Sequence, residues 1–185
     1  MVIRLIRFNI YLLLVPALLS GTGCRTPEQK QAKQTATLRI HIETNPLPDY
    51  SLPITVLSNA PMYLNIEKSP FLNEAHITSA HILERQDGFA LQIRFNQQGQ
   101  RLLEQYSSAN TYRRFAIRSQ FRQSTNVFDR WLAAPFISNR IADGLLNFTP
   151  DATRAEAECI VQGWNKVAGY KPKATEAESK FTEVP

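Results

Sequence analysis

The chain has 185 residues, of which 43% are hydrophobic, and its 21 basic and 16 acidic side chains give a net charge of +5. This length and apolar content provide for one domain with one hydrophobic core. A charge balance this mild indicates no particular partner, and two cysteines permit at most one disulfide.

The first 23 residues have the organisation of a bacterial secretory signal. Arg4 and Arg7 form a basic start, and the apolar run from Ile10 to Leu19 is shorter than the roughly 20 residues that cross a membrane. Small residues at 20–23 then lead to Cys24, as in a lipobox. We expect this signal to be removed, which lowers the net charge to +3, and Cys24 to be lipidated. The alternative is an ordinary signal peptide cut at the same point.

Both ends of the remaining chain are polar. Residues 24–36 are predicted to be a tether and residues 170–185 a disordered tail, which leaves one folded domain at 37–169. A secreted, lipidated chain belongs to the cell envelope, where it is held at a membrane by its anchor and faces the periplasm. Arg25, directly after the cysteine, slightly favours the outer membrane over the inner one.

The first half of the domain is predicted to be rich in strands. Leu38–Ile42 alternates apolar and polar residues, and two further strand candidates, Ile54–Leu57 and Met62–Ile66, are separated by a proline-containing loop. The clearest hairpin joins Ile77–Leu83 to Phe89–Phe95 at Asp87-Gly88.

A helix is predicted next, followed by another strand. After Asn96, the residues Leu102, Leu103 and Tyr106 share one helical face, and Gly99 in the first turn indicates a close approach to the sheet. Tyr112–Phe121 reads as a strand that continues into a polar link at 124–129.

The end of the domain is predicted as strand, turn, short strand and helix. The strand runs from Trp131 to Ile137 and contains Pro135, which places it at a sheet edge or at a bulge. After the short strand Leu145–Phe148, Thr149 is the predicted N-cap of the last helix. Its apolar stripe consists of Ala157, Ile160, Val161, Trp164 and Ala168, and Gly169 ends it. This order predicts an α+β fold, a two-layer sandwich of a mostly antiparallel sheet with both helices on one face.

The segment 76–168 resembles a known family. Its pattern is similar to the head subdomain of the first periplasmic domain of SecD, an accessory subunit of the bacterial preprotein translocase. The matching residues are Ala134-Pro135-Phe136-Ile137, Ile141, Gly144, Phe148, Pro150, Ala152, Glu156-Ala157 and Trp164-Asn165. The resemblance implies a non-catalytic, membrane-anchored version of that head, which contacts translocating or newly secreted polypeptides and translocon components.

Few residues suggest chemistry. His76 and His81 point to opposite faces of a strand, and no histidine has the spacing of a metal ligand. Exposed strand histidine is therefore the preferred interpretation, and Cys159 is interpreted as a small buried hydrophobe. The sequence predicts no enzyme, no metal and no cofactor.

The best polar constellation lies on the strand Tyr112–Phe121 and the residues that follow it. Phe115, Ile117 and Phe121 share one face, whereas Arg114, Arg118, Gln120 and Arg122 share the other. The three arginines are the candidate binding face, and a solvated sheet face is the alternative. Two functions remain open: a secretion accessory that binds unfolded polypeptides, or an envelope interaction module for an unrelated ligand. The secretion signal argues against nucleic acid as a partner.

Overall fold

The computed structural model describes residues 36–58 and 60–170. The predicted signal and the lipidation site Cys24, nearly all of the tether at 24–36 and the tail after residue 170 lie outside the described residues. Within them, no helix is long and apolar enough to cross a membrane.

The described residues form three antiparallel sheets and two α-helices. The strands are β1 (Arg39–Ile42), β2 (Ser51–Val56), β3 (Met62–Glu67), β4 (Leu72–Asn73), β5 (Ile77–Arg85), β6 (Gly88–Phe95), β7 (Phe115–Gln123), β8 (Asn126–Ala133) and β9 (Leu145–Phe148); the helices are α1 (Gln97–Ala109) and α2 (Arg154–Val167). The sheet orders are β4-β1-β7-β8, β2-β3 and β5-β6-β9. The predicted α+β fold with antiparallel strands is confirmed, and the structure adds that the strands divide among three sheets.

The main core lies between the four-stranded sheet, the three-stranded sheet and the helices. Its largest fully buried side chains include Trp164 of α2, Phe115 and Phe121 of β7, Leu91 of β6 and Leu103 of α1. Helix α2 packs against both β5 and β7. Its apolar stripe therefore joins the two sheets, as the stripe in the sequence requires.

A second, smaller core lies on the opposite side of the four-stranded sheet. The β2–β3 hairpin buries Ile54, Val56, Leu64 and Ile66 against Ala116 and Ala134. A second face of a sheet can be buried only where another element covers it. The side of the four-stranded sheet that faces away from the main core, called the outer face below, is therefore partly covered by this hairpin.

Two glycines have the local roles that their positions in the sequence indicated. The β5–β6 hairpin turns at Gln86-Asp87, one residue before the predicted Asp87-Gly88, and Gly88 opens β6 with a φ of 132°, which L side chains rarely adopt. At Gly99 a Cβ atom would lie 2.8 Å from the Cβ of His76 and 3.0 Å from that of Phe95. The predicted close approach of this helical turn is confirmed, because no larger residue fits there without a shift of its neighbours.

The predicted start of the last helix was wrong. Helix α2 has its N-cap at Thr153, four residues after the predicted Thr149. The reason is a capping box: the Thr153 side chain accepts from the Glu156 N–H, and the Glu156 carboxylate accepts from the Thr153 N–H. This reciprocal pair satisfies two backbone donors at once, which Thr149 and Pro150 cannot do.

The boundaries of β8 also differ from the prediction. The link predicted at 124–129 is mostly strand, because a two-residue turn at Ser124-Thr125 lets Asn126 pair with Gln123. At the other end β8 stops at Ala133, before Pro135, and Leu132 is left unpaired at an irregularity in the register. The edge position and the bulge expected from the proline are both present, but the proline itself lies beyond the strand.

Candidate binding face

Strand β7 presents two predicted arginines on the outer face. Arg118 and Arg122 alternate with the buried Ile117 and Phe121, which face the main core. Arg114 lies just before the strand and forms an isolated bridge with Phe136. The sequence predicted that apolar and basic residues of this strand alternate between its two faces, and the strand shows this alternation.

The hairpin divides this row of arginines. Ala116, which lies between Arg114 and Arg118 on the outer face, is fully buried in the second core. The hairpin therefore stands between these two arginines, and the three predicted residues do not form one continuous surface. Arg118 and Arg122 remain together, and Arg114 is set apart from them.

Arg114 is engaged by its surroundings. Its Nη1 donates to the carbonyl of Ala134 at 3.0 Å, and its guanidinium carbon lies 5.5 Å from the ring centre of Phe136. Its backbone N–H donates to the Glu43 carboxylate at 2.8 Å. These contacts hold the end of the strand in place, and they leave this guanidinium less available than the other two.

Arg118 makes a two-pronged ion pair with Asp129 of β8. Its Nε donates to Oδ1 at 2.7 Å and its Nη2 to Oδ2 at 2.8 Å, while its guanidinium carbon lies 5.6 Å from the ring centre of Trp131. The Arg118 side chain is nevertheless 44% exposed. An ion pair with this exposure contributes at most about 1 kcal/mol to stability, so a second carboxylate can compete for the guanidinium.

Arg39 of β1 belongs to the same surface and was missed in the sequence. It is the direct cross-strand partner of Arg118, and it pairs with Glu74 and donates to the carbonyl of Leu38 at 2.8 Å. Like charges directly opposite each other in a sheet are unfavourable. The alternation of Leu38–Ile42 placed Arg39 on one face, but the pairing of β1 with β7, which assigns that face, has no local signal.

Arg122 lies further along β7, opposite the half-exposed Val127. Within residues 36–58 and 60–170 it has no acidic side chain within ion-pair distance. Arg39, Arg118 and Arg122 therefore form the uncovered part of the outer face, which we call the arginine face. Its three guanidiniums have two carboxylate partners, and its net charge is positive.

The boundary between the arginine face and the hairpin is formed by His41 and Trp131. The His41 side chain is buried, since only 7% of the residue is accessible. Its Nδ1 lies 2.8 Å from the carbonyl of Glu67 on the hairpin, and its ring meets that of Trp131 edge-on at 5.5 Å. The alternation of Leu38–Ile42 puts His41 on the same face as Arg39, but it carries no information on the hairpin that covers His41.

Burial lowers the pKa of His41 below its usual value. The positive charges of Arg118 and Arg39 lower it further, whereas the hydrogen bond to the Glu67 carbonyl acts in the opposite direction. A neutral imidazole at this position is consistent with an Nδ1–H that donates to the carbonyl. The arginine face thus has an uncharged border on its hairpin side.

The arrangement is suited to bind anions. Guanidiniums match carboxylates in a two-pronged geometry, as the pair of Arg118 and Asp129 demonstrates. Among the residues that the structure describes, no three His, Cys, Asp or Glu side chains are grouped closely enough to hold a metal ion.

No family model and no curated protein matches this chain. Among solved structures it is similar to SecDF, described as a membrane component that enhances protein export, with 17% identity, a TM-score of 0.49 and coverage of 73% of this chain and 64% of that one. A super-membrane-facing form of SecDF matches with 16% identity, the same TM-score and coverage of 73% and 19%. SecDF of Thermus thermophilus, a translocon-associated membrane protein, matches with 11% identity, a TM-score of 0.39 and coverage of 73% and 29%. The chain thus spans less than two thirds of each of these proteins.

Proposed function

We propose that the chain is a non-catalytic protein of the cell envelope that binds acidic stretches of translocating or newly secreted polypeptides on its arginine face. It is held at a membrane by lipid on Cys24, faces the periplasm, and has translocon components as further partners. The link with export is supported by the resemblance of residues 76–168 to the SecD head. The binding chemistry is supported by the arginine face.

The observation that carries the proposal is the position of Arg39 directly opposite Arg118. The two side chains start from opposite positions on one face of the sheet, and together with Arg122 the three positive charges exceed the carboxylates of Glu74 and Asp129 that accompany them. A ligand with several carboxylates would relieve this excess charge. These three arginines add little to the stability of the fold, since exposed ion pairs stabilise proteins weakly.

An acidic polypeptide fits this surface better than a membrane does. The guanidinium of Arg118 is held close to the ring of Trp131, and that of Arg39 is held at its own strand by the Leu38 carbonyl. These two guanidiniums are therefore held close to the sheet. A polypeptide can approach the sheet closely and exchange its own carboxylates for those of Glu74 and Asp129.

The test is the simultaneous replacement of Arg39, Arg118 and Arg122 by Gln. Since each exposed charge pair is worth up to about 1 kcal/mol, we expect binding of a 20-residue Glu-Thr repeat peptide to weaken about tenfold or more at low salt. Added salt should weaken the wild type similarly. Fluorescence anisotropy of the labelled peptide measures the affinity, and the thermal midpoint should change little.

The matched control replaces three exposed arginines outside this surface, Arg85, Arg94 and Arg101, by Gln, which changes the net charge equally. Peptide affinity should then stay near that of the wild type. Equal affinity of the wild type and the first variant would contradict the proposal. Binding of phosphatidylserine vesicles without binding of the peptide would assign the surface to a membrane instead.

A further inference from the structure

Most sheet edges in the described part of the chain are short or closed. On β5, the Asn165 side chain accepts from the Ala80 N–H at 2.6 Å and donates to the Ala80 carbonyl at 2.8 Å, as a neighbouring strand would. On β2, Pro53 removes a backbone donor from the free side. Strands β4 and β9 have only two and four residues. These are recognised ways to prevent an edge from pairing with another chain.

The edge of β8 differs from these. Its register shows which backbone groups point outward: the Gln120 N–H donates to the Thr37 hydroxyl, and the Gln120 carbonyl accepts from the Thr37 N–H, both on the side away from β8. Gln120 and its partner Asp129 are therefore a non-hydrogen-bonded pair of the β7–β8 ladder. It follows that the backbone N–H and C=O of Asp129 point to the free edge, and the alternation extends this to Val127.

This edge is open over about half of the strand. Within the described residues, no backbone hydrogen bond reaches the free side between Asn126 and Arg130. The first such bond further along runs from the Asp151 N–H to the Leu132 carbonyl at 2.6 Å. Val127 is 53% exposed, in keeping with an uncovered edge.

The open edge borders the arginine face. The side chains of Val127 and Asp129 lie on the outer face, opposite Arg122 and Gln120, and the Arg118 guanidinium already extends to β8 to reach Asp129. A strand added at β8 would lie about 5 Å from β8 and roughly 10 Å from β7. Side chains of that strand on the outer face would thus lie next to the position where Arg118 now holds a carboxylate.

The geometry points to one mode of binding: an extended acidic segment of a polypeptide adds to the edge of β8 as a fifth strand of the four-stranded sheet. Backbone hydrogen bonds to Val127 and Asp129 supply affinity for any extended chain. Carboxylates at alternate positions of that chain face Arg118 and Arg122 and supply the preference for acidic segments. This inference rests on the proposed function and adds how the ligand is held.

Backbone N-methylation of the Glu-Thr peptide tests this on the wild-type protein. In a strand, every second N–H points to the same side, so one peptide is methylated at its Glu residues and another at its Thr residues. An edge strand contacts one side only. We expect one of the two peptides to bind at least tenfold more weakly than the unmethylated peptide, and the other to bind within about threefold of it.

A variant of the protein tests the same contact from the other side. Val127→Pro removes an outward N–H without removing a bond to β7, and Val127→Thr, which keeps the N–H, is its control. The proline variant should bind the unmethylated peptide at least fivefold more weakly than the threonine variant. Circular dichroism shows whether the proline variant is folded, and the two methylated peptides decide the question if it is not.

The outcomes separate this inference from the proposed function. If the peptide binds through the arginines but methylation weakens both peptides equally, or neither, strand addition is wrong while the proposed function stands. If the wild type does not bind the unmethylated peptide, the proposed function fails and the inference fails with it.

Discussion

Trp164 is the largest fully buried side chain of the main core. It is fully buried in the stripe of α2, and its indole N–H donates to the carbonyl of Thr37 at 3.0 Å, where the chain enters β1. A single side chain thus fills the space between the last helix and the first strand of the domain, and its polar atom is satisfied.

We expect Trp164→Ala to lower the free energy of unfolding by about 3–5 kcal/mol, because it leaves a large cavity in the main core. Urea denaturation followed by circular dichroism measures this. Trp131→Ala is the comparison, and its cost should be smaller because Trp131 is only half-buried. A thermal midpoint within two degrees of the wild type would show that α2 does not rely on this residue.

His41 links stability to pH. In the unfolded chain it takes up a proton near pH 6.5, whereas in the folded protein its pKa is lowered by burial and by the charges of Arg118 and Arg39. Between these two values the unfolded state binds more protons than the folded state. The contribution of neutral His41 is therefore complete above the unfolded pKa and is lost as the pH falls toward the folded one.

We expect the wild type to lose stability as the pH falls from about 7 to 5, and His41→Gln to lose less over the same range. Urea midpoints across this range measure the slope. Glu156 also has a shifted pKa: burial opposes its ionisation, but the hydrogen bonds from Thr153 and the ion pair with Arg130 outweigh burial and lower the pKa. The stability that ionised Glu156 contributes is lost only as the pH falls below its usual pKa of 4.5, which is outside the range from pH 7 to 5. Equal slopes in the two proteins would contradict the assignment to His41.

At the scale of elements, α2 illustrates how a start signal can be misplaced. Thr149 followed by Pro150 and Asp151 has the composition of a helix start, but the hydrogen bonds used at the real start belong to Thr153 and Glu156. Asp151 is used elsewhere: its carboxylate accepts from the Ser58 N–H at 2.7 Å and its own N–H closes the edge at Leu132. Asp151 thus makes contacts with segments distant in the sequence, and the helix starts at Thr153 instead of Thr149.

We expect Thr153→Ala to cost about 1 kcal/mol, because it removes the cap of α2. Thr149→Ala at the exposed predicted cap should stay within roughly 0.5 kcal/mol of the wild type. Urea denaturation of the two variants gives the difference directly. If both alanine variants are equally stable, the capping box does not stabilise the helix.

The elements that could be predicted from the sequence depend on neighbouring residues. The β5–β6 hairpin, the apolar stripe of α2 and the close approach at Gly99 all followed from local patterns. The arginine face could be predicted only in part, because Arg39 and Arg118 are 79 positions apart and their pairing has no local signal. For the same reason the covering of Ala116 and His41 by the β2–β3 hairpin, which divides the row of arginines, was missed.

At the scale of the whole molecule, the proposed lipid anchor on Cys24 concerns where the protein is held in the cell. We expect Cys24→Ser to release the protein from membranes or to leave its signal uncut, because the substitution removes the thiol that would carry the proposed anchor of two or more lipid chains. Partitioning into a detergent phase measures this, and Cys159→Ser is the control because that thiol lies half-buried in α2. Partitioning of the wild type into the aqueous phase would rule out the anchor.

The side-chain amide of Asn165 on β5 also affects how copies of this protein can meet. Growth of an open-ended fibre needs two different free edges per molecule, one to receive a neighbour and one to be received. Among the described strands, β5 is the other long edge, and Asn165 occupies it at Ala80. The edge of β8 is open between Asn126 and Arg130, and a contact of β8 against β8 about a twofold axis closes after two copies. The same amide that completes the hydrogen bonds of Ala80 thereby disfavours growth through β5 beyond such a pair.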